Sequence, residues 1–342
     1  MPMVPAGDPR SSLVTRHSSL VTRLRRWAPR LLGLALFAWV LVAVGPAKVW
    51  AGLRQSDLRL LVPALLLAVP FIYVKGWRWA RILAGLDIAL PVGAAFWLYA
   101  IGIWLGQATP GQAGDFAKAW YLRSRGAPLA RALLSALLDR LFDFAALFAL
   151  GAVALAAFAG AAASGGSLAV ALVALALVVA ALAAAMTARW RAPLLAAAGR
   201  VTPRPLRARL ARSDALRSLA DARLDARHLA PVLGLTLLSW VVSLTRVYLA
   251  FRAAGVDLPI ADFLAIAVLV TVAGLISIGG VGTRDVALVV LLAPYGYDGA
   301  HALAASFLIL ALNLSNIIPG FLVWMREPLP ARRDAGGEEG LA

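Results

Sequence analysis

The stretch TPGQAGDFAKAW, residues 109–120, decides how this chain is read. It follows PVGAAFWLYAIGIWLGQA, residues 91–108, an apolar run with the character of a membrane helix. A plain membrane helix would next meet a loop. Here Pro110, Gly111, Gly114, Asp115 and Lys118 fall within a few residues, and aromatic residues then resume at once. A helix break, an acid and a base between two apolar runs need a reason.

Composition sets the frame. Of 342 residues, 62% are hydrophobic and 15% charged, where a soluble domain carries about 25% charged residues. Mean hydropathy is +0.82. Several apolar runs approach or exceed the ~20 residues that cross a bilayer. The chain therefore reads as an all-α, polytopic membrane protein. There are no cysteines, which excludes disulfides, thiolate catalysis and thiolate metal sites. Three histidines, His17, His228 and His301, form no metal-binding pattern. No cofactor or metal is implied. The net charge of +16 sits in short segments flanking apolar runs, as the positive-inside rule produces. It does not point to nucleic acid.

Residues 1–30 are polar and basic and read as a disordered cytoplasmic tail. A membrane domain is expected over 31–326, followed by a disordered tail at 327–342. A first membrane helix is expected at about 31–47. Further apolar runs lie near 58–74, 88–107, 129–160, 167–187, 229–252, 260–278, 285–294 and 300–325. Segment 188–228 holds ten arginines against three aspartates and reads as a cytoplasmic loop. Its PLRARLARSDALRSLADARL suits either an interfacial helix on anionic lipid or a solvated basic loop.

The order of charges then fixes the path. If 88–107 crossed fully, the basic Lys118–Arg131 segment and the ten-arginine loop would both lie outside. The contradiction disappears if 88–122 is a hairpin entering and leaving on the cytoplasmic side, with TPGQAGD at its tip. The same reasoning makes 260–294 a hairpin from the outer side, tipped by ISIGGVGTRD, residues 276–285. The expected architecture is about six full spans plus two oppositely oriented re-entrant hairpins, the alternative being eight or so full spans. Both termini are then cytoplasmic. Non-helical backbone at membrane depth survives only when buried in protein or lining a wet cavity. Interrupted segments in opposite halves point to a transport site.

The segments GWRWARIL (76–83), TPGQAGDFAKAWYLR (109–123), LLDRLFDF (137–144) and ISIGGVGTRDVAL (276–288) occur in this order. In this they resemble the lysylphosphatidylglycerol synthase transmembrane-region family, the flippase-like proteins, over roughly residues 30–326. The resemblance implies a multi-helix inner-membrane protein. Some members of that family carry a soluble aminoacyl-transferase domain that makes lysyl-lipid, which the membrane part moves across the bilayer. That domain is expected to be absent here, and synthase activity is not carried over. The family often has Glu where this chain has Asp139 and Asp285. The charge is kept on a side chain one methylene shorter.

Ionisable residues inside a membrane are costly and mark functional candidates. Arg131, Ser135, Asp139 and Asp143 recur every four residues, so they share a helical face. Arg140 is expected to pair with Asp143 or Asp115 if the network is purely structural. Asp115 and Asp285 each follow a glycine-containing break and could cap the helix that follows. Such a helix start also favours anions, with Gly111, Gly114, Gly280 and Gly282 letting backbone approach a ligand. Arg284 offers a planar fork suited to a phosphate diester. Ser239, Ser243, Arg246, Asn313 and Asn316 read as helix–helix hydrogen-bonding groups. Arg78 and Arg81, with Trp77 and Trp79, read as interfacial anchors.

The leading expectation is a lipid transporter with no catalytic residues. Lys118, Arg140 and Arg284 would meet a lipid phosphate. Asp115, Asp139, Asp143 and Asp285 would hold those cations or an amine. Its partners would be membrane lipids and a separate lipid-modifying transferase. Two other classes remain open. One is a membrane-embedded enzyme acting on a lipid or polyprenyl phosphate, although the outer loops are short and Asp57 is alone in its loop. The other is a scaffold or accessory subunit whose charges are structural.

Overall fold

The structure is a computed structural model that describes residue 54 and residues 56–107, 109–158, 165–187, 226–276 and 282–326. The tails, the first expected membrane helix, residues 188–225 of the basic loop and Gly280 lie outside these residues. Among the described residues ten α-helices follow in order: α1 (Leu58–Leu66), α2 (Ala68–Ala84), α3 (Val92–Gln107), α4 (Ala117–Arg123), α5 (Leu129–Phe158), α6 (Gly165–Met186), α7 (Ala226–Ala253), α8 (Ile260–Ile276), α9 (Thr283–Leu292) and α10 (Gly299–Arg326). A 3-10 helix, Pro110–Phe116, joins α3 to α4. Among the described residues there is no strand. Among the described residues three helical stretches are long and apolar enough to cross a membrane: Leu58–Ala84, Arg227–Ala253 and Gly299–Arg326.

Asp57 starts α1 by accepting the Arg59 backbone N–H at 2.9 Å. Backbone bonds then run across Leu67, from Leu67 N–H to the Pro63 carbonyl and from Phe71 N–H to the Leu67 carbonyl. So α1 and α2 act as one rod of 27 residues, about 40 Å long. The sequence expectation ended this run near residue 74, with KGWRWAR at the membrane interface. That is corrected: the helix continues to Ala84. Arg78 and Trp79 are fully buried rather than anchoring at a surface, while Arg81 is exposed. A helix need not end at a charge when carboxylates on a neighbouring helix neutralise it.

Two hairpins hang on this rod. The α3–3-10–α4 segment leaves and returns at one place, because Asp87 before it and Arg131 after it form an ion pair at 3.2 Å. The α8–α9 segment does the same. The Asp257 backbone N–H donates to the Tyr297 hydroxyl, and that hydroxyl donates to the Asp257 carbonyl, both at 2.8 Å. The two mouths lie at opposite ends of the rod. Asp87 follows the C-terminus of α2, whereas Asp57, at the N-terminus of α1, donates its N–H to Ala253, four residues before Asp257. The chain thus builds two hairpins pointing toward each other, and the 3-10 tip of the first packs on α8 of the second. Apolar side chains such as Leu66, Leu177, Leu237, Val241 and Leu322 cover the outside, as a lipid-facing surface requires.

Candidate functional site

The first hairpin turns where its sequence is least helical. Pro110 opens the 3-10 helix, having no N–H to donate. The Thr109 hydroxyl accepts the Gly114 N–H at 2.7 Å. A Cβ on Gly114 would lie 2.0 Å from the Leu105 carbonyl oxygen, so only glycine lets the returning strand of chain lie flat on α3. The stretch TPGQAGDFAKAW is therefore a fold-back at depth. Its break serves to bring Asp115 and Lys118 against α5.

There the charges meet. The Arg78 guanidinium donates Nε and Nη2 to Asp139 Oδ1 at 3.0 and 2.7 Å, and Nη1 to Asp143 Oδ1 at 2.6 Å. Lys75 donates to the same Asp143 oxygen at 2.6 Å. Asp139 Oδ2 accepts from the Tyr99 hydroxyl at 2.9 Å and from Lys118 at 3.0 Å. Lys118 also donates to Asp115 Oδ2 at 2.8 Å, which accepts Arg140 Nε at 3.1 Å. Arg140 Nη1 reaches Gln112 Oε1 at 2.6 Å. Lys118 sits 4.2 Å from the Tyr99 ring centroid, adding a cation–π contact. Four cations from α2, α4 and α5 thus share three carboxylates.

Each expected site residue has a definite place. Asp139 and Asp143 do lie on one face of α5, turned toward α2, with Ser135 accepting the Trp79 indole N–H at 3.1 Å. Arg140 pairs with Asp115, one of its two expected partners. Asp115 makes no helix cap; the residue before α4 is Phe116, with no side-chain cap. Lys118, Asp115 and Asp139 are fully buried behind the site rather than on its wall. Gly111 lies in the 3-10 helix. Asp285 accepts the Gly282 N–H at 3.0 Å at the start of α9, as a capping carboxylate does. Gly282 has φ +87°, a conformation that suits glycine. The Ser306 hydroxyl joins the two neighbours, accepting Arg284 Nε at 3.0 Å and donating to Asp285.

Between the hairpins lies a cavity of about 250 Å³. Gln112 and Arg140 line it from the first hairpin and α5, and Thr271, Gly274 and Arg284 from the second. Lys75 and Asp143 form one wall, Ser239, Ser243 and Arg246 of α7 another, and Asn313 and Asn316 of α10 a third. Sequence reasoning missed Lys75, Arg78, Tyr99 and the cavity face of Arg246. One signal was present: two carboxylates on one face of α5 require cations, and Lys75 and Arg78, three apart, share a helical face. Tyr99 carried no such signal. Among the described residues no cluster of His, Cys, Asp or Glu could hold a metal ion.

No curated protein is significantly similar to the chain. The family model described as the lysylphosphatidylglycerol synthase TM region matches residues 30–320. That match contains both hairpins, the buried charge network and the cavity. The chain belongs to the lysylphosphatidylglycerol synthase transmembrane-region family and is an integral, multi-pass membrane protein related to lipid handling.

Proposed function

We propose that the chain moves a phosphate-bearing lipid across the inner membrane, its headgroup passing through the cavity between the hairpins while the acyl chains stay in the bilayer. The observation that carries this reading is a cavity lined by four cations inside an otherwise apolar bundle, at the meeting point of two oppositely directed broken hairpins. Such breaks are where membrane transporters put their substrate sites. The buried network behind the wall, Arg78, Lys118, Asp115 and Asp139, holds the first hairpin rigidly in place. Arg140, Arg284 and Lys75 present charge to the headgroup. The chain acts without catalysis, both termini are cytoplasmic, and its partner is a separate enzyme that makes or consumes the lipid.

The test is translocation by the full-length chain in lipid vesicles. A headgroup-labelled fluorescent lipid is exposed to a membrane-impermeant reductant. Bleaching beyond the outer-leaflet share supports transport. Bleaching equal to that of protein-free vesicles, from protein that melts cooperatively, overturns it.

A further inference from the structure

The cavity wall is unbalanced in charge. Lys75, Arg140, Arg246 and Arg284 face it against the single carboxylate of Asp143. With Arg78, Lys118, Asp115, Asp139 and Asp285 behind the wall included, six cations stand against four carboxylates. Asp143 is itself already held by both Lys75 and Arg78, so no free carboxylate greets an incoming amine.

Arg246 and Arg284, with Asp285 as their one carboxylate, carry half of that surplus. Arg246 is buried, with 3% exposure, yet its partners are all neutral. Nε donates to the Ala64 carbonyl at 2.9 Å, Nη1 to Asn316 Oδ1 at 2.8 Å, and Nη2 to the Leu312 carbonyl at 3.1 Å and Ser315 Oγ at 2.9 Å. Its orientation is fixed, but its charge has no counter-ion among the described residues. Arg284 is equally buried. Among the described residues its one hydrogen bond is Nε to Ser306, which in turn donates to Asp285, and neither terminal nitrogen of its fork has a partner among those residues. A buried cation without an anion, as Arg246 is among the described residues, is costly. A ligand bringing the missing negative charge removes that cost. A cavity of this volume is about 8 Å across if round, the size of a phosphate ester and not of a whole lipid.

We propose that this cavity selects a headgroup of net negative charge, a phosphate ester without a compensating amine, bound by Arg246 and Arg284. The proposal rests on the lipid-transport reading above and narrows it. A zwitterionic headgroup, or a lysyl-esterified one, brings an ammonium into a wall that already carries excess positive charge.

Binding to the purified full-length chain in detergent tests this, with five probes: phosphatidylglycerol, phosphatidic acid, phosphatidylethanolamine, lysyl-phosphatidylglycerol and free glycerol phosphate. The two anionic lipids should bind at least about tenfold more tightly than the amine-bearing two, the ratio for one charged hydrogen bond. Asn313→Asp keeps the side-chain shape and adds a carboxylate to the wall, so it should erase most of that preference. Arg284→Gln should weaken the anionic lipids about tenfold. Equal affinity for all four lipids, or a preference that survives both substitutions, overturns anion selection and leaves lipid transport standing. Binding of glycerol phosphate without any lipid supports anion selection and overturns the lipid reading. No binding of any probe overturns both.

Discussion

Replacing Lys118 with methionine should harm the protein less than replacing Asp139 with asparagine, although both side chains are fully buried and bonded to each other. The cluster of Lys75, Arg78, Lys118 and Arg140 with Asp115, Asp139 and Asp143 carries one surplus positive charge. Lys118→Met cancels that surplus. Asp139 keeps Arg78 and Tyr99, and Asp115 keeps Arg140, so neither carboxylate is orphaned. Methionine also fills much of the lysine stem's space against Trp79 and Tyr99. The loss is about one charged hydrogen bond, roughly 1–2 kcal/mol net of lysine desolvation. Asp139→Asn instead raises the surplus to two and leaves Arg78 with one carboxylate, Asp143. Breaking a buried pair from one side costs about 3–5 kcal/mol. The gap of about 2–3 kcal/mol corresponds to about 4 °C in melting midpoint for a chain this long. The assay is a thermal melt of the purified chain in detergent, read as loss of the monodisperse species. A Lys118→Met melt equal to or below that of Asp139→Asn would refute the charge-surplus argument.

Gly114→Ala should destabilise by about 1–3 kcal/mol or more, because the added methyl meets backbone at the Leu105 carbonyl; an unchanged melt would mean the fold-back is looser than described. In this cysteine-free chain, Ser124→Cys should react with an impermeant thiol reagent only from the cytoplasmic side, and Asp298→Cys only from outside; labelling of both from one side would sink the opposed hairpins. Arg284→Lys keeps charge but loses the fork, so it should melt like the parent and translocate lipid about tenfold more slowly; transport at the parent rate would reduce Arg284 to a structural partner of Ser306 and Asp285.

The hairpins were legible because glycine and proline interrupt apolar runs there, and the order of basic segments argued for chain that folds back. The face of α5 was legible because Ser135, Asp139 and Asp143 repeat at the helical period. Lys75 and Arg78 were not, because KGWRWAR, residues 75–81, has the basic, tryptophan-rich composition of a membrane interface. Its neutralising partner Asp139 stands 61 residues away, and no local pattern carries that information. Arg246 was half legible. Its hydrogen bonds to another helix were expected, and Asn316 and Ser315 supply them. Its position on a cavity wall depends on how α1, α7 and α10 come together, which spacing along one helix cannot reveal.

The rod of α1 and α2 has a consequence for the order in which the protein is made. Its cations Lys75 and Arg78 leave the ribosome before either of the two carboxylates that neutralise them, Asp139 and Asp143. At 5–20 residues per second, the 61 residues separating Arg78 from Asp139 take roughly 3–12 s. Through that interval the nascent rod carries two unpaired charges, each costing about 2.5–3.5 kcal/mol at the centre of a bilayer. The first hairpin arrives in the same window with Lys118 and only Asp115 to offset it. Stable integration of the amino-terminal half therefore waits for α5, which closes the network from the far side. Chains truncated and released at residue 125 should remain extractable by alkali, and chains released at residue 160 should not. If both resist extraction equally, the early cations find shelter without their partners.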